Sequence, residues 1–70
     1  PAVDYKAWSA EYWEEASRIK KRMEHVRKER SEPKEEMARK RRLTILYAMY
    51  LDCVHTAKHL ERRAQLEGRI

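Results

Sequence analysis

Seventy residues with a single cysteine make one small domain at most, and a chain of this size buries only about 60% of the surface that it exposes when unfolded. Cys53 has no partner for an internal disulfide, so stability must come from close helix packing or from another chain. Charged residues make up 41% and the net charge is +5; the longest apolar run falls far short of the ~20 residues that a membrane-spanning helix needs.

One glycine, two prolines and abundant Glu, Lys, Arg, Ala and Leu form a helix-forming composition. No run alternates with period two, so strands are not expected and the fold class is all-α. The lone cysteine, with no signal-like segment at the start of the sequence, points to a reducing, cytoplasmic setting.

In chain order, Asp4 is the first helix cap, with Val3 and Trp8 at the two positions of a hydrophobic staple. A first helix is predicted over about residues 4–30. Its apolar positions are Tyr5, Trp8, Tyr12, Ala16, Ile19, Met23 and Val26, spaced by 3, 4, 4, 3, 4 and 3. They fall within an arc of roughly 80°, a narrow seam for one other helix.

The stretch "RSEPKEE" then interrupts the pattern. Pro33 cannot donate a backbone hydrogen bond, so a straight helix through it is disfavoured and a turn is predicted at about residues 31–33. Proline suits the first turn of a helix, where Ser31 or Glu32 can cap and Glu35 and Glu36 meet the positive end of the dipole. A second helix is predicted over about residues 33–67, with Gly68 as its stop. It offers Leu43, Leu46, Tyr50, Cys53, Ala57, Leu60 and Ala64, an unbroken heptad seam of coiled-coil type.

The two seams make residues 1–70 a single antiparallel helical hairpin. A turn near residue 32 pairs residues whose numbers sum to about 64 or 65, given equal rise per residue in both helices. Trp8 is then expected opposite Ala57, Tyr12 opposite Cys53, Ile19 opposite Leu46, Tyr5 opposite Leu60, and Trp13 level with Leu51.

Apolar residues remain after the seams are matched. In "LTILYAMYL", residues 43–51, eight of nine are apolar, more than one partner helix can cover. Trp13, Ile45, Tyr47, Ala48, Leu51 and Val54 form the surplus, an apolar belt at mid-hairpin that marks a partner surface. The expected partner is a second copy, in a homodimeric four-helix bundle. Docking to a larger protein is the alternative.

Charge is distributed unevenly. Residues 1–16 hold one base against four acids, and residues 17–42 hold twelve Lys or Arg against five Glu. The hairpin gathers Lys20, Lys21, Arg22, Arg27, Lys28, Arg39, Lys40, Arg41 and Arg42 near its turn. This end could bind phosphate backbones non-specifically, which makes a small nucleic-acid-associated accessory protein the second functional reading. Interleaved glutamates dilute the field, and no aromatic stands at this end to stack on bases.

Candidate chemistry is sparse. Asp52, His55 and His59 share one helical face within about 60° and are weak candidates for a metal site. The bundle geometry that would use them needs further inward carboxylates, and helix 1 has none on its seam, so no metal is expected. Cys53 and His55, two residues apart on a helix, point about 160° away from each other and cannot form a nucleophilic dyad. With no phosphate-binding loop and no catalytic triad, neither enzymatic activity nor a cofactor is expected, and no membrane partner either. The sequence points to a non-catalytic assembly module.

Overall fold

The computed structural model describes residues 2–68; the outermost positions of the expected domain, 1, 69 and 70, lie outside them. Two helices, α1 (Tyr5–Lys28) and α2 (Glu36–Glu67), pack against each other, joined through a 3-10 turn at Pro33–Glu35. No strand occurs among the described residues. The hairpin is a rod measuring 58 × 16 × 14 Å. No described helix is long and apolar enough to cross a membrane.

Local chemistry sets the ends of each helix. Asp4 caps α1, its Oδ1 accepting the Ala7 N–H at 2.9 Å. The helix ends at Lys28, two residues earlier than the expected boundary, because Glu29 turns into an extended conformation. Glu32 is extended too, as the residue before a proline must be to avoid the ring. Proline then opens the 3-10 turn, and the Ser31 hydroxyl donates to the Glu36 carboxylate at 2.7 Å across it. Gly68 closes α2 in a right-handed conformation, its N–H donating to Ala64 and Leu66.

The core is a single layer between the helices. Ala16, Ile19, Met23 and Val26 of α1 are buried with Leu46, Ala57 and Leu60 of α2. Leu43, Tyr50 and Cys53 pack on it half-buried. Ile19 is the only large side chain that is fully enclosed among the described residues, at 1% exposure. These are seam positions of both helices, spaced to meet.

Trp8 departs from the expected seam. It is 44% exposed and stacked beside Tyr5, ring centroids 6.3 Å apart, whereas a seam position would be buried. Val3 is exposed as well, so the two do not form a closed staple. Ser9 is buried instead, and its hydroxyl donates to the Lys6 carbonyl at 2.9 Å. Ser9 lies on the heptad line Ser9, Tyr12, Ala16, Ile19, Met23 and Val26, spaced by 3, 4, 3, 4 and 3, and Trp8 stands about 100° to one side of it.

The register also differs. Trp13 reaches Glu61, not Leu51, and Tyr5 meets Arg63 rather than Leu60. Side chains on a helix lean toward its own N-terminus. In an antiparallel pair the two leans are opposed and shift the contacts further along α2 by about one residue per helix. The rest of the shift arises because residues 29–35 are not α-helical, so the equal rise behind the count does not hold.

Candidate interaction surface

α2 carries more apolar residues than α1 can cover. Ile45 is 60% exposed and Tyr47 53%. They stand two residues apart, hence about 160° apart around the helix, and face opposite sides of the hairpin. Ala48 is exposed on the back of α2. The expected belt is thereby divided. Tyr47, Leu51 and Val54 form one strip at i, i+4 and i+7, with Leu51 and Val54 half-buried along the flank of the core. Tyr47 also stacks beside Tyr50, centroids 6.4 Å apart.

Trp13 extends this strip. It is half-buried, and its indole N–H donates to the Glu61 carboxylate. An indole held against a protein surface needs such an acceptor. The bond lies over an open groove lined by Lys6, Ser9, Ala10, Ala64 and Gln65. Glu61 was missed in the sequence; it stands seven residues after Val54 on the same flank. On the other side, Ile45 borders a groove floored by Val26 and Leu46 and edged by Arg22 and Arg42. Met49 is exposed at 41% and lies within about 40° of Ile45 around α2.

Two of the arginines at the turn serve the fold. Arg39 pairs with Glu36 and donates to the Arg27 carbonyl at 3.3 Å, satisfying one of the unpaired acceptors at the end of α1. The Glu36 carboxyl is held below its usual range, chiefly by the hydrogen bond from Arg39 and then by that from Ser31. Arg42 bridges to Glu29 at 2.8 Å. Lys20, Lys21, Arg22, Arg27, Lys28, Lys40 and Arg41 are exposed and form no ion pair among the described residues. They are spread around the rod rather than along one stripe.

No three His, Cys, Asp or Glu side chains are grouped to hold a metal ion among the described residues. His55 and His59 share a shallow surface depression with Lys58 and Arg62, two cations that oppose a metal. Millimolar zinc should therefore leave the melting temperature unchanged, because only a ligand that prefers the folded state raises it. A rise that disappears in His55→Ala would establish a site there.

Cys53 is half-buried. Burial pushes its thiol pKa up, with Glu15 and Asp52 adding to the effect. The thiolate, the reactive form, is thereby suppressed. Iodoacetamide should modify the folded chain several-fold more slowly than the urea-unfolded chain at pH 8; equal rates would mean that the site is open. Because the folded state holds this proton more tightly, its contribution to stability is full below about pH 8.5 and declines as pH rises through the folded value.

Comparison with protein-family models, with curated proteins and with solved structures finds no match. Function therefore rests on the surface itself.

Proposed function

We propose that the chain is a non-catalytic assembly module that pairs with a second copy of itself through the face carrying Trp13, Tyr47, Leu51 and Val54. The observation that carries this reading is the strip beside the core: Tyr47 is 53% exposed, and Leu51 and Val54 are only half-covered by their own hairpin. A single-layer core is thin for a chain of this length. Packing a second hairpin on this face supplies another layer, and heptad-like seams suit the roughly 20° crossing of a four-helix bundle.

The apolar strip from Tyr47 to Glu61 runs about 21 Å along α2, so it forms the centre of the proposed interface, and the flanking length of the 58 Å rod supplies the rest of the roughly 800 Å² that each partner buries in a stable interface. A two-fold dimer is the commonest closed arrangement and brings the strip against its own copy. A reducing, cytoplasmic setting belongs to the same proposal, since Cys53 is the only cysteine.

Light scattering on the purified chain at micromolar concentration tests it. The expected result is twice the 8.5 kDa mass of one chain. A folded, cooperatively melting monomer would overturn the proposal and leave a different protein as the cover for the strip.

A further inference from the structure

We infer that the second copy packs antiparallel, with the turn of one hairpin beside the open end of the other. This rests on the pairing proposed above and adds its direction. The two ends of the rod differ in charge. Residues 17–48, which form the turn end, hold twelve Lys or Arg against five Glu, a net of +7. The open end, residues 2–16 with 49–68, holds four Lys or Arg against seven Asp or Glu, a net of −3. The ion pairs Arg39–Glu36 and Arg42–Glu29 lie within the turn end and are already included in its sum.

The rod is 58 Å long, many times the screening length of about 8 Å at physiological salt. Each end therefore responds only to the charge placed next to it. A parallel pair sets one +7 end against another. An antiparallel pair sets each +7 end against a −3 end, and the same juxtaposition selects one orientation over the other.

The position of the apolar strip supports this direction. It runs along α2 from Tyr47 to the level of the Trp13–Glu61 bond, so its middle lies near Val54. The midpoint of α2 (Glu36–Glu67) lies between Leu51 and Asp52, less than one turn away. A two-fold axis crossing the strip at its middle reverses one rod on the other with nearly full overlap. A strip near either end would leave much of each rod uncovered in that arrangement.

Spin labels at the turn measure the direction. Lys34 is exposed within the 3-10 turn, so the full chain carrying Lys34→Cys with Cys53→Ser takes one label per chain. Light scattering first checks that this variant remains dimeric. Pulsed dipolar spectroscopy should then give a distance between labels approaching the 58 Å length of the hairpin. A distance of about 20 Å, the span of adjacent packed helices at 8–10 Å each, would overturn the antiparallel arrangement while leaving the dimer intact. A monomer in light scattering, for the unlabelled natural sequence as well, would overturn the pairing itself.

Discussion

Replacing Ile19 by alanine should lower the melting temperature by on the order of 10–30 °C. Ile19 is the one large side chain fully enclosed among the described residues, and Met23, Val26 and Leu46 share its cluster. Removing a buried Ile side chain down to Cβ costs about 2–5 kcal/mol, the lost transfer energy plus the cavity left behind. In a domain of this size each kcal/mol corresponds to roughly 4–8 °C. The total stability of small domains lies at the low end of about 5–15 kcal/mol, so the upper part of that range unfolds the chain near body temperature. Circular dichroism at fixed protein concentration makes the measurement, because the proposed pairing would make the midpoint depend on concentration. Ala2→Gly, at an exposed position before α1, serves as the control. A drop of less than about 3 °C for Ile19→Ala, below the roughly 4–8 °C expected for a single kcal/mol, would mean that the core lies elsewhere.

If the chain pairs as proposed, Leu51→Glu should convert that dimer to a folded monomer. Leu51 is half-buried on the flank of the core, so its own hairpin leaves the outer half of the side chain free for a partner. A carboxylate there must be buried unpaired against apolar surface when two chains meet, at a cost of several kcal/mol. Since about 1.4 kcal/mol is a tenfold change in affinity, self-association should weaken at least a hundredfold. Within one chain the same carboxylate can turn toward water, so helix content should survive. Arg22→Glu, exposed on the opposite side of the hairpin beside the Ile45 groove, should leave the mass unchanged. Arg63 would be a poor control, since it lies over the Tyr5 ring at 5.2 Å and donates to its hydroxyl. Should Leu51→Glu stay dimeric at micromolar concentration, the pairing face would have to be another one, with the Ile45 and Met49 side the next to test.

The core was legible because burial in a two-helix hairpin follows periodicity. Residues spaced by 3 and 4 on each helix, Ile19, Met23 and Val26 with Leu46, Ala57 and Leu60, meet without any further information. At the start of α1 the outcome depends on which line is followed: steps of 3 and 4 carried back from Val26 lead to Ser9, which is enclosed, whereas apolar residue type leads to Trp8, which is left outside. Spacing does not encode how the non-α-helical residues 29–35 offset one helix along the other, which together with the lean of side chains brings Trp13 to Glu61 rather than Leu51. The need of Trp13 for an acceptor was readable from its type; the identity of the acceptor depended on that offset. At the turn, the run "RKRR" reads as free charge. Arg39 becomes structural only because α1 stops at Lys28 and leaves the Arg27 carbonyl within its reach. The apolar surplus of "LTILYAMYL" was visible as a quantity, but its division between opposite faces follows from where α1 sits against α2.

The arrangement of the cross-helix bonds also has a kinetic consequence. The Arg39 bond to the Arg27 carbonyl spans 12 residues, whereas the Trp13–Glu61 bond spans 48. Loop-closure entropy rises with the logarithm of that span, so contacts beside the turn are the least costly to form first. With the turn in place, each later contact closes only a short additional loop, and the hairpin zips toward its ends. Opening runs in the reverse order. Fraying starts at the open end, furthest from the turn, so Trp13 and Glu61 part before Val26 and Leu46 do. Amide exchange should accordingly be slowest in the core nearer the turn and fastest at the open end, giving a short rod a gradient of local lifetimes along its length.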